Sequence, residues 1–189
     1  MARVDILFES YLRRPDNRMA STVGLVRDGE VTVVIDPGLV PNHAAILDPL
    51  SALGVRAEDV TDVVFSHHHP DHTINAALFE GARFHDHWAI YQGDVWTSRD
   101  AEGSRISPGV SLIRTPGHTE EDITTLVEAD SGLVAFTHMW WTSGGPAEDP
   151  YAPDMSVLHA SRERLLTMPV WLIVPGHGAP FEPSDKTPR

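Results

Sequence analysis

At residues 66–72 the chain reads Ser66-His67-His68-His69-Pro70-Asp71-His72, a dense run of side chains that can bind metal ions. The preceding run, Asp62-Val63-Val64-Phe65, is apolar and β-branched, which predicts a buried strand that ends at Ser66. If the chain stays extended beyond this strand, alternate side chains share one face, so His67, His69 and Asp71 align. The spacing therefore predicts a group of ligands directly beyond a strand.

The second half of the same run predicts a change of direction. Pro70 disfavours the helical region for the residue before it, so His69 is expected to remain extended. The residues from His72 to Phe79 look helical, and this turn would direct His72 to a second position beside the first. One ion cannot easily take four ligands from six consecutive residues, whereas two adjacent ions can.

Three further histidines follow predicted strands or adjoin glycine. They occur in Thr115-Pro116-Gly117-His118, Thr137-His138-Met139 and Pro175-Gly176-His177-Gly178. Imidazole and carboxylate ligands suit zinc, iron or manganese, and the chain has no cysteine that could supply a thiolate. The pattern predicts a metal site built from distant parts of the chain.

These motifs resemble the metallo-β-lactamase-fold hydrolase superfamily. The resemblance extends from the strand end at residues 33–38 to the segment at residues 175–178, and it is closest to the group of metallo-β-lactamase-domain-containing protein 1-like proteins. It implies an α/β fold, a four-layer αββα sandwich, with residues 1–189 forming a single domain. The length fits one domain with a substantial core.

The resemblance also implies roles for individual side chains. His67, His69 and His118 would hold a first metal ion, and Asp71, His72 and His177 a second. Asp71 would also be the catalytic residue that orients a water molecule and shuttles its proton. The expected cofactor is zinc, as one or two ions, with iron or manganese left open.

His138 stands where the superfamily has an aspartate that bridges the two metals, and residues 133–143 contain no acidic side chain. A carboxylate contributes charge to both ions, whereas a neutral imidazole has one lone pair and normally binds one. We therefore expect either a strong first site with a weaker second one, or a single ion. An ordinary dinuclear site remains the alternative.

The charge of the chain bears on its partners. There are 14 basic and 27 acidic side chains, which give a formal net charge of −13 and disfavour nucleic acid as a partner. No signal-peptide or membrane-spanning stretch is recognisable, so the expected location is the cytoplasm, away from membranes. A small-molecule substrate is the expected partner, and whether the chain forms a homodimer is left open.

The apolar patterning predicts helices at residues 43–53 and 155–168. It predicts strands at residues 4–8, 22–26, 31–35, 63–65, 83–85, 110–114, 124–127, 133–136 and 170–174. Each predicted ligand group lies just beyond a strand, where loops on a rigid scaffold carry functional side chains.

Several other residues have a structural interpretation beside a functional one. Asp36, at the end of a predicted strand, is expected to support the site from behind. His68 should point away from the ligands, and His85-Asp86-His87 is interpreted as structural or as part of the rim. Of the pair Trp140-Trp141, one is expected in the core and the other in the pocket wall.

Together these features predict a metal-dependent hydrolase of a small ester, thioester, lactone or phosphoester. Three alternatives remain at this point. They are a mononuclear iron dioxygenase acting on a sulfur compound, a metal-dependent ribonuclease, and a metal-binding protein without catalytic activity.

Overall fold

A computed structural model describes residues 1–189, apart from the side chain of Arg14. Its larger sheet contains seven strands, in the order β1 (Arg3–Phe8), β4 (Val23–Asp28), β5 (Val31–Ile35), β6 (Asp62–Val64), β7 (Arg83–His85), β8 (Ala89–Gln92) and β9 (Val95–Ser98). The smaller sheet contains five strands, in the order β10 (Arg105–Ser107), β11 (Val110–Arg114), β12 (Ile123–Ala129), β13 (Gly132–Thr137) and β14 (Val170–Pro175). A separate hairpin pairs β2 (Tyr11–Arg13) with β3 (Arg18–Ala20).

The two sheets pack face to face, and a helix covers the outer face of each. Side chains of both sheets fill the central layer, including Val33, Val64, Leu112 and Val134. Helix α1 (Ala44–Ala52) packs Ile46 and Leu50 against the larger sheet, and α3 (Met155–Leu166) packs Leu158 and Leu165 against the smaller one. The predicted αββα sandwich is thereby confirmed, because each sheet and each helix buries an apolar face in a shared layer.

The sheet topology places functional loops at common edges. Strands β5, β6 and β7 are parallel neighbours, so the residues that follow β5 and β6 emerge side by side. Strands β13 and β14 are also parallel neighbours, with Thr137 paired to Pro175. Consequently His138 and His177, which lie just beyond these two strands, are brought to the same edge of the smaller sheet.

The prediction of one helix from His72 to Phe79 is wrong. The chain instead forms a short helix, α2 (Pro70–Thr73), followed by a separate 3-10 turn at Ala76–Phe79. Asn75 interrupts them because its backbone N–H donates to Pro37 O and its side-chain amide donates to Gly38 O. These bonds to a distant loop replace the hydrogen bonds that would have continued the helix.

The start of α2 also corrects the expected alternation. His69 is extended, with φ −64° and ψ 141°, as the following proline requires. Asp71, however, lies inside the helical turn, so it does not continue the extended face of His67 and His69. The extended segment ends at His69, and Asp71 is directed to the second ligand group.

The other predicted helices and the predicted strands are present, with boundaries shifted by a few residues. The strands that the sequence did not indicate are β2, β3, β8, β9 and β10. They are short or largely exposed, and every residue of β9 is solvent-exposed, so they lack the apolar pattern that marks a core strand. Of the helices that the structure describes, none is both long enough and apolar enough to cross a membrane.

Candidate metal centre

The first predicted ligand group comes together at the edge of the sheets. Nδ1 of His69 lies 3.0 Å from Nε2 of His67 and 3.0 Å from Nε2 of His118. The three residues each offer a ligand atom, and these atoms lie within 4.8 Å of one another. Three imidazole nitrogens at this separation repel one another unless a proton or a cation lies between them.

The second predicted group lies beside the first. Oδ2 of Asp71 is 3.4 Å from Nε2 of His72 and 3.4 Å from Nε2 of His177. Burial opposes ionisation of Asp71, but its contacts with the two histidines outweigh burial and lower its pKa below the ordinary value. Asp71 is therefore an ionised carboxylate between two imidazoles, which is a suitable ligand set for a divalent cation.

His138 occupies the centre between these groups. Its ring centroid lies 4.3 Å from that of His118, 4.7 Å from that of His67, 4.6 Å from that of His72 and 5.0 Å from that of His177. Together with His67 and His72 it forms a third, all-histidine group. A side chain at Gly176 would overlap the His138 ring, so the glycine leaves the space that this imidazole fills.

Hydrogen bonds behind the cluster fix how the imidazoles face it. Nδ1 of His72 donates to Asp36, Nδ1 of His118 donates to Asp149, and Nδ1 of His177 donates to the carbonyl oxygen of Ala20. In each case the other ring nitrogen, Nε2, is left facing the interior of the cluster. Such outer hydrogen bonds hold the ring of a metal-binding histidine in place and set its tautomer.

The donor chemistry fits zinc. Nε2 of His72 and Nδ1 of His138 are buried and form no hydrogen bond of good geometry with a described residue. Burial, reinforced by neighbouring imidazoles, lowers the pKa of both His67 and His138 well below its usual value, so their lone pairs are free near neutral pH. The unprotonated imidazoles of His67 and His138, close to the carboxylate group of Asp71, match the ligands that zinc takes in proteins.

Asp36 supports the site as expected. Its Oδ1 accepts a hydrogen bond from Ser66 N over 2.7 Å, and its Oδ2 accepts one from His72 over 2.9 Å. Its φ of +50° is a conformation that Asp tolerates better than most residues. Although burial lowers the pKa of His72, the charges of Asp36 and Asp71 outweigh it and raise that pKa to about 9.

Two further carboxylates lie close to the first ligand group. Oδ2 of Asp149 accepts hydrogen bonds from His118 over 2.8 Å and from Nε1 of Trp141 over 2.9 Å. Asp122 accepts bonds from Thr119 and lies 4.0 Å from Nδ1 of His67. Burial raises the pKa of Asp122 to about 6. The sequence did not indicate Asp149, because it lies in a loop 31 residues after its partner and carries no motif.

Five of the seven candidate ligands line a cavity of about 590 Å³. His69, Asp71, His118, His138 and His177 form its polar floor. Its other walls are formed by Leu12, Met19, Trp141, Pro150 and Tyr151. A volume of this size suits a small molecule, and the mixture of apolar walls with few polar groups is typical of ligand pockets.

The adjacent tryptophans divide between core and cavity, as the sequence predicts. Trp140 is fully buried against α3, and its Nε1 donates to Pro188 O over 2.7 Å. Trp141 lines the cavity and stacks on Tyr151, with ring centroids 5.8 Å apart. The hydrogen bond from Trp141 to Asp149 couples this wall to the candidate ligand His118.

Three histidines that were not predicted to be ligands lie outside the cluster, namely His68, His85 and His87. Nε2 of His68 donates to Asp86 over 3.0 Å, so His68 points away from the candidate ligands. Nε2 of His85 contacts Asp62 over 2.7 Å within the larger sheet, which is a structural arrangement. His87 lies near His68 on the outer side of the motif.

Known proteins share both the sequence pattern and the fold. The family model of the metallo-beta-lactamase superfamily matches residues 16–139. Metallo-beta-lactamase domain-containing protein 1 of Homo sapiens is 32% identical over 91% of this chain and 67% of that protein. The protein of the same name from Xenopus laevis is 29% identical over 94% of this chain and 80% of that protein.

A solved structure shows the same likeness at lower identity. An N-acyl homoserine lactone hydrolase with N-hexanoyl-L-homoserine bound at its catalytic metal centre superposes with a TM-score of 0.69. It is 18% identical, and the match covers 93% of this chain and 92% of that one. At this identity the likeness concerns the fold.

Proposed function

Because the chain belongs to the metallo-beta-lactamase superfamily, we propose that it is a metal-dependent hydrolase of a small ester, thioester, lactone or phosphoester. The observation that carries this proposal is the convergence of two ligand groups on the floor of one cavity. The lactone hydrolase with the same fold holds its product at a catalytic metal centre, which is consistent with the proposed chemistry.

The residues that would hold zinc are the two groups described above, His67, His69 and His118 on one side and Asp71, His72 and His177 on the other. When bound there, zinc supplies Lewis acidity, which lowers the pKa of a water molecule and polarises a substrate oxygen. Asp36, Asp149 and the carbonyl of Ala20 hold the imidazoles in orientation. This preorganisation limits the rearrangement needed when a substrate binds.

Asp71 is the residue proposed to handle the proton. Its carboxylate is ionised and lies in the cavity floor, so it can accept a hydrogen bond from the attacking water and orient it. The same group can pass the proton on to the leaving group once the scissile bond breaks. Leu12, Met19 and Trp141 would pack against the apolar part of the substrate and exclude bulk water.

The proposed partner is a small molecule. A net charge of −13 repels polyanions at long range, and the cavity walls beyond the ligands are largely apolar. A phosphodiester polymer would need cationic side chains along its path, so the ribonuclease alternative has less support than hydrolysis of a small ester.

A mononuclear iron dioxygenase acting on a sulfur compound is the second candidate. The observation that favours it is the all-histidine group of His67, His72 and His138, since imidazole is a good ligand for iron. His138 in the central position adds no negative charge, which disfavours two cations in close proximity. Under this candidate one ion, and not two, occupies the cluster.

The two candidates differ in metal content and in reaction. Elemental mass spectrometry would identify the metal in protein purified without added metal. The same protein would then be tested for hydrolysis of a panel of esters, thioesters, lactones and phosphoesters. Its oxygen uptake would be measured with a persulfide as substrate. Zinc with hydrolysis supports the hydrolase, and Asp71→Asn should lower kcat by at least about 100-fold. Asp130→Asn, on an exposed turn, is the matched control. Iron with oxygen uptake and no hydrolysis would reject the hydrolase.

The number of ions can be tested separately through His138. We expect the wild-type chain to retain one zinc after exhaustive dialysis and to bind a second more weakly. His138→Asp restores a carboxylate able to bridge two ions, so it should retain close to two, whereas His159→Asp on the exposed face of α3 should not. Two tightly held ions in the wild type, one of which is lost in His177→Ala, would show that imidazole serves adequately at this position.

A further inference from the structure

We propose that His68, His87 and Glu121 form a second binding site for a zinc-class divalent cation, separate from the candidate metal centre. One ligand atom from each of the three residues lies within 4.8 Å of the other two. The set shares no residue with the two ligand groups of the candidate metal centre. Two imidazoles and one carboxylate are a donor set that zinc uses in proteins, with a fourth position open to water.

The three side chains come from loops on both sheets. His68 follows β6 and His87 precedes β8, both in the larger sheet, whereas Glu121 precedes β12 in the smaller sheet. An ion bound to all three would therefore link the edges of the two sheets. Such a link would lie close to the candidate metal centre in sequence. His68 lies between the candidate ligands His67 and His69, and Glu121 precedes Asp122.

The distance between His87 and Glu121 requires only a small closure. Nε2 of His87 is 3.9 Å from Oε1 of Glu121, whereas tetrahedral zinc holds neighbouring ligand atoms roughly 3.3 Å apart. The Glu121 side chain is 42% exposed, so it has the freedom to approach. The His68 side chain is 45% exposed, which gives an ion access from solvent.

Neighbouring residues hold both imidazoles in place. Nε2 of His68 donates to Asp86 over 3.0 Å, and Asp86 is itself fixed by bonds from the backbone N–H groups of Trp88 and Ala89. The His87 ring stacks on Trp88, with centroids 4.7 Å apart and planes inclined by 24°. Carboxylate support of a histidine and a fixed ring are the arrangements found behind metal ligands.

His87 also has a buried polar atom that no hydrogen bond explains. Its Nδ1 is buried and has no hydrogen-bond partner among the described residues, while its Nε2 faces Glu121. Nε2 likewise makes no hydrogen bond, because its distance of 3.9 Å to Oε1 of Glu121 is too long for one. A cation between the two side chains would give this nitrogen the partner that it lacks.

The competing explanation is a purely ionic cluster, in which a protonated histidine pairs with Asp86 and Glu121. The two explanations differ in one measurable property, namely saturable uptake of zinc. The ionic cluster needs no metal, so removal of its side chains would leave the zinc stoichiometry of the protein unchanged. The proposed site adds one equivalent, which disappears when a ligand is removed.

The experiment is a titration of the metal-loaded protein with Zn²⁺ against a chromophoric chelator, followed by elemental mass spectrometry. His87→Gln and Glu121→Gln are the site variants. His159→Gln and Glu120→Gln are matched controls, because both residues are exposed and neither belongs to a donor group found among the described residues. Wild type and controls should bind one zinc more than the site variants, whose Kd for this ion should rise on the order of tenfold or more.

Thermal unfolding provides the second readout. The zinc ion bound at the proposed second site should raise the Tm of the wild type and of both controls. The same addition of zinc should leave the Tm of the site variants unchanged. Equal stoichiometry in wild type and both site variants would overturn the proposal, as would loss of this zinc from the controls to the same extent. If His87→Gln fails to fold, Glu121→Gln decides the outcome, because its side chain is partly exposed and isosteric.

Discussion

His118 donates a hydrogen bond from Nδ1 to Oδ2 of Asp149 over 2.8 Å, and the same oxygen accepts the indole N–H of Trp141 over 2.9 Å. One carboxylate thus holds a candidate metal ligand and a wall of the cavity at the same time. Oδ1 of Asp149 is also occupied, by the backbone N–H of Tyr151 over 2.9 Å. The orientation of the ligand and the shape of the cavity are therefore expected to change together.

Asp149→Asn tests this coupling. The amide cannot accept all three hydrogen bonds, so the His118 ring should lose its fixed tautomer and orientation. We expect the zinc affinity of the first ligand group to fall roughly 10- to 100-fold. Chelator competition measures this change. Asp130→Asn, at an exposed turn, should bind zinc like the wild type, and an unchanged affinity in Asp149→Asn would show that the hydrogen bond is not needed to hold His118.

Gly176→Ala tests the packing of His138. A methyl group at residue 176 would overlap the His138 ring, whereas a methyl group at Gly81 meets no atom within 4 Å. We expect Gly176→Ala to lower the free energy of unfolding by about 1–3 kcal/mol, or to displace the ring and weaken zinc binding. Chemical denaturation and chelator titration measure the two effects. Gly81→Ala should change neither, and the idea fails if the two variants behave alike.

The pair of His72 and Asp36 predicts a pH dependence of the metal-free protein. The pKa of His72 is raised from 6.5 to about 9, so the proton that it holds stabilises the folded state fully below pH 6.5. This stabilisation is lost as the pH rises through about 9, and it amounts to something on the order of 3 kcal/mol. The free energy of unfolding should therefore decline across this range.

Asp36→Asn tests whether this pair causes the decline in the free energy of unfolding with pH. Removal of the charge should flatten the decline between pH 6.5 and 9, even though the variant is less stable at every pH because Ser66 N also bonds to this side chain. Urea denaturation of chelator-treated protein at a series of pH values measures the slope. A decline of equal steepness in Asp36→Asn would exclude this pair as its cause.

Substitutions of Trp140 and Trp141 are expected to affect different properties, namely stability and substrate binding. Trp140→Leu removes a fully buried ring and its bond to Pro188 O, so it should lower the free energy of unfolding by about 2–4 kcal/mol. Trp141→Leu alters the cavity wall and should raise KM for the best substrate of the panel, with a smaller loss of stability. Steady-state kinetics and denaturation compare them. Unchanged kinetics in Trp141→Leu would remove this residue from the proposed substrate contacts.

The sequence predicted the parts of the site that depend on local chemistry. Pro70 imposes the extended conformation of His69, and the short apolar strand before Ser66 positions His67 at the sheet edge. The histidines at 118, 138 and 177 could be recognised because each follows a strand or adjoins glycine. That His138 and His177 lie together is a consequence of the parallel pairing of β13 with β14.

The parts that the sequence did not predict depend on contacts between distant segments. The helix expected from residue 72 was cut short by bonds from Asn75 to the loop at Pro37 and Gly38, which no local pattern reveals. Asp149 lies in a loop without a motif, and its role appears only when that loop folds over His118. The proximity of His87 to Glu121 likewise depends on how the two sheets pack.

The three imidazole nitrogens of His67, His69 and His118, held about 3 Å apart, link metal supply to the lifetime of the protein. A cation bound to these nitrogens would stabilise only the folded chain, so the metal-free form should open more often. In a cell, chains that open more often are degraded sooner. We therefore expect the abundance of this protein to follow zinc availability, with limited proteolysis after chelation as the direct measure.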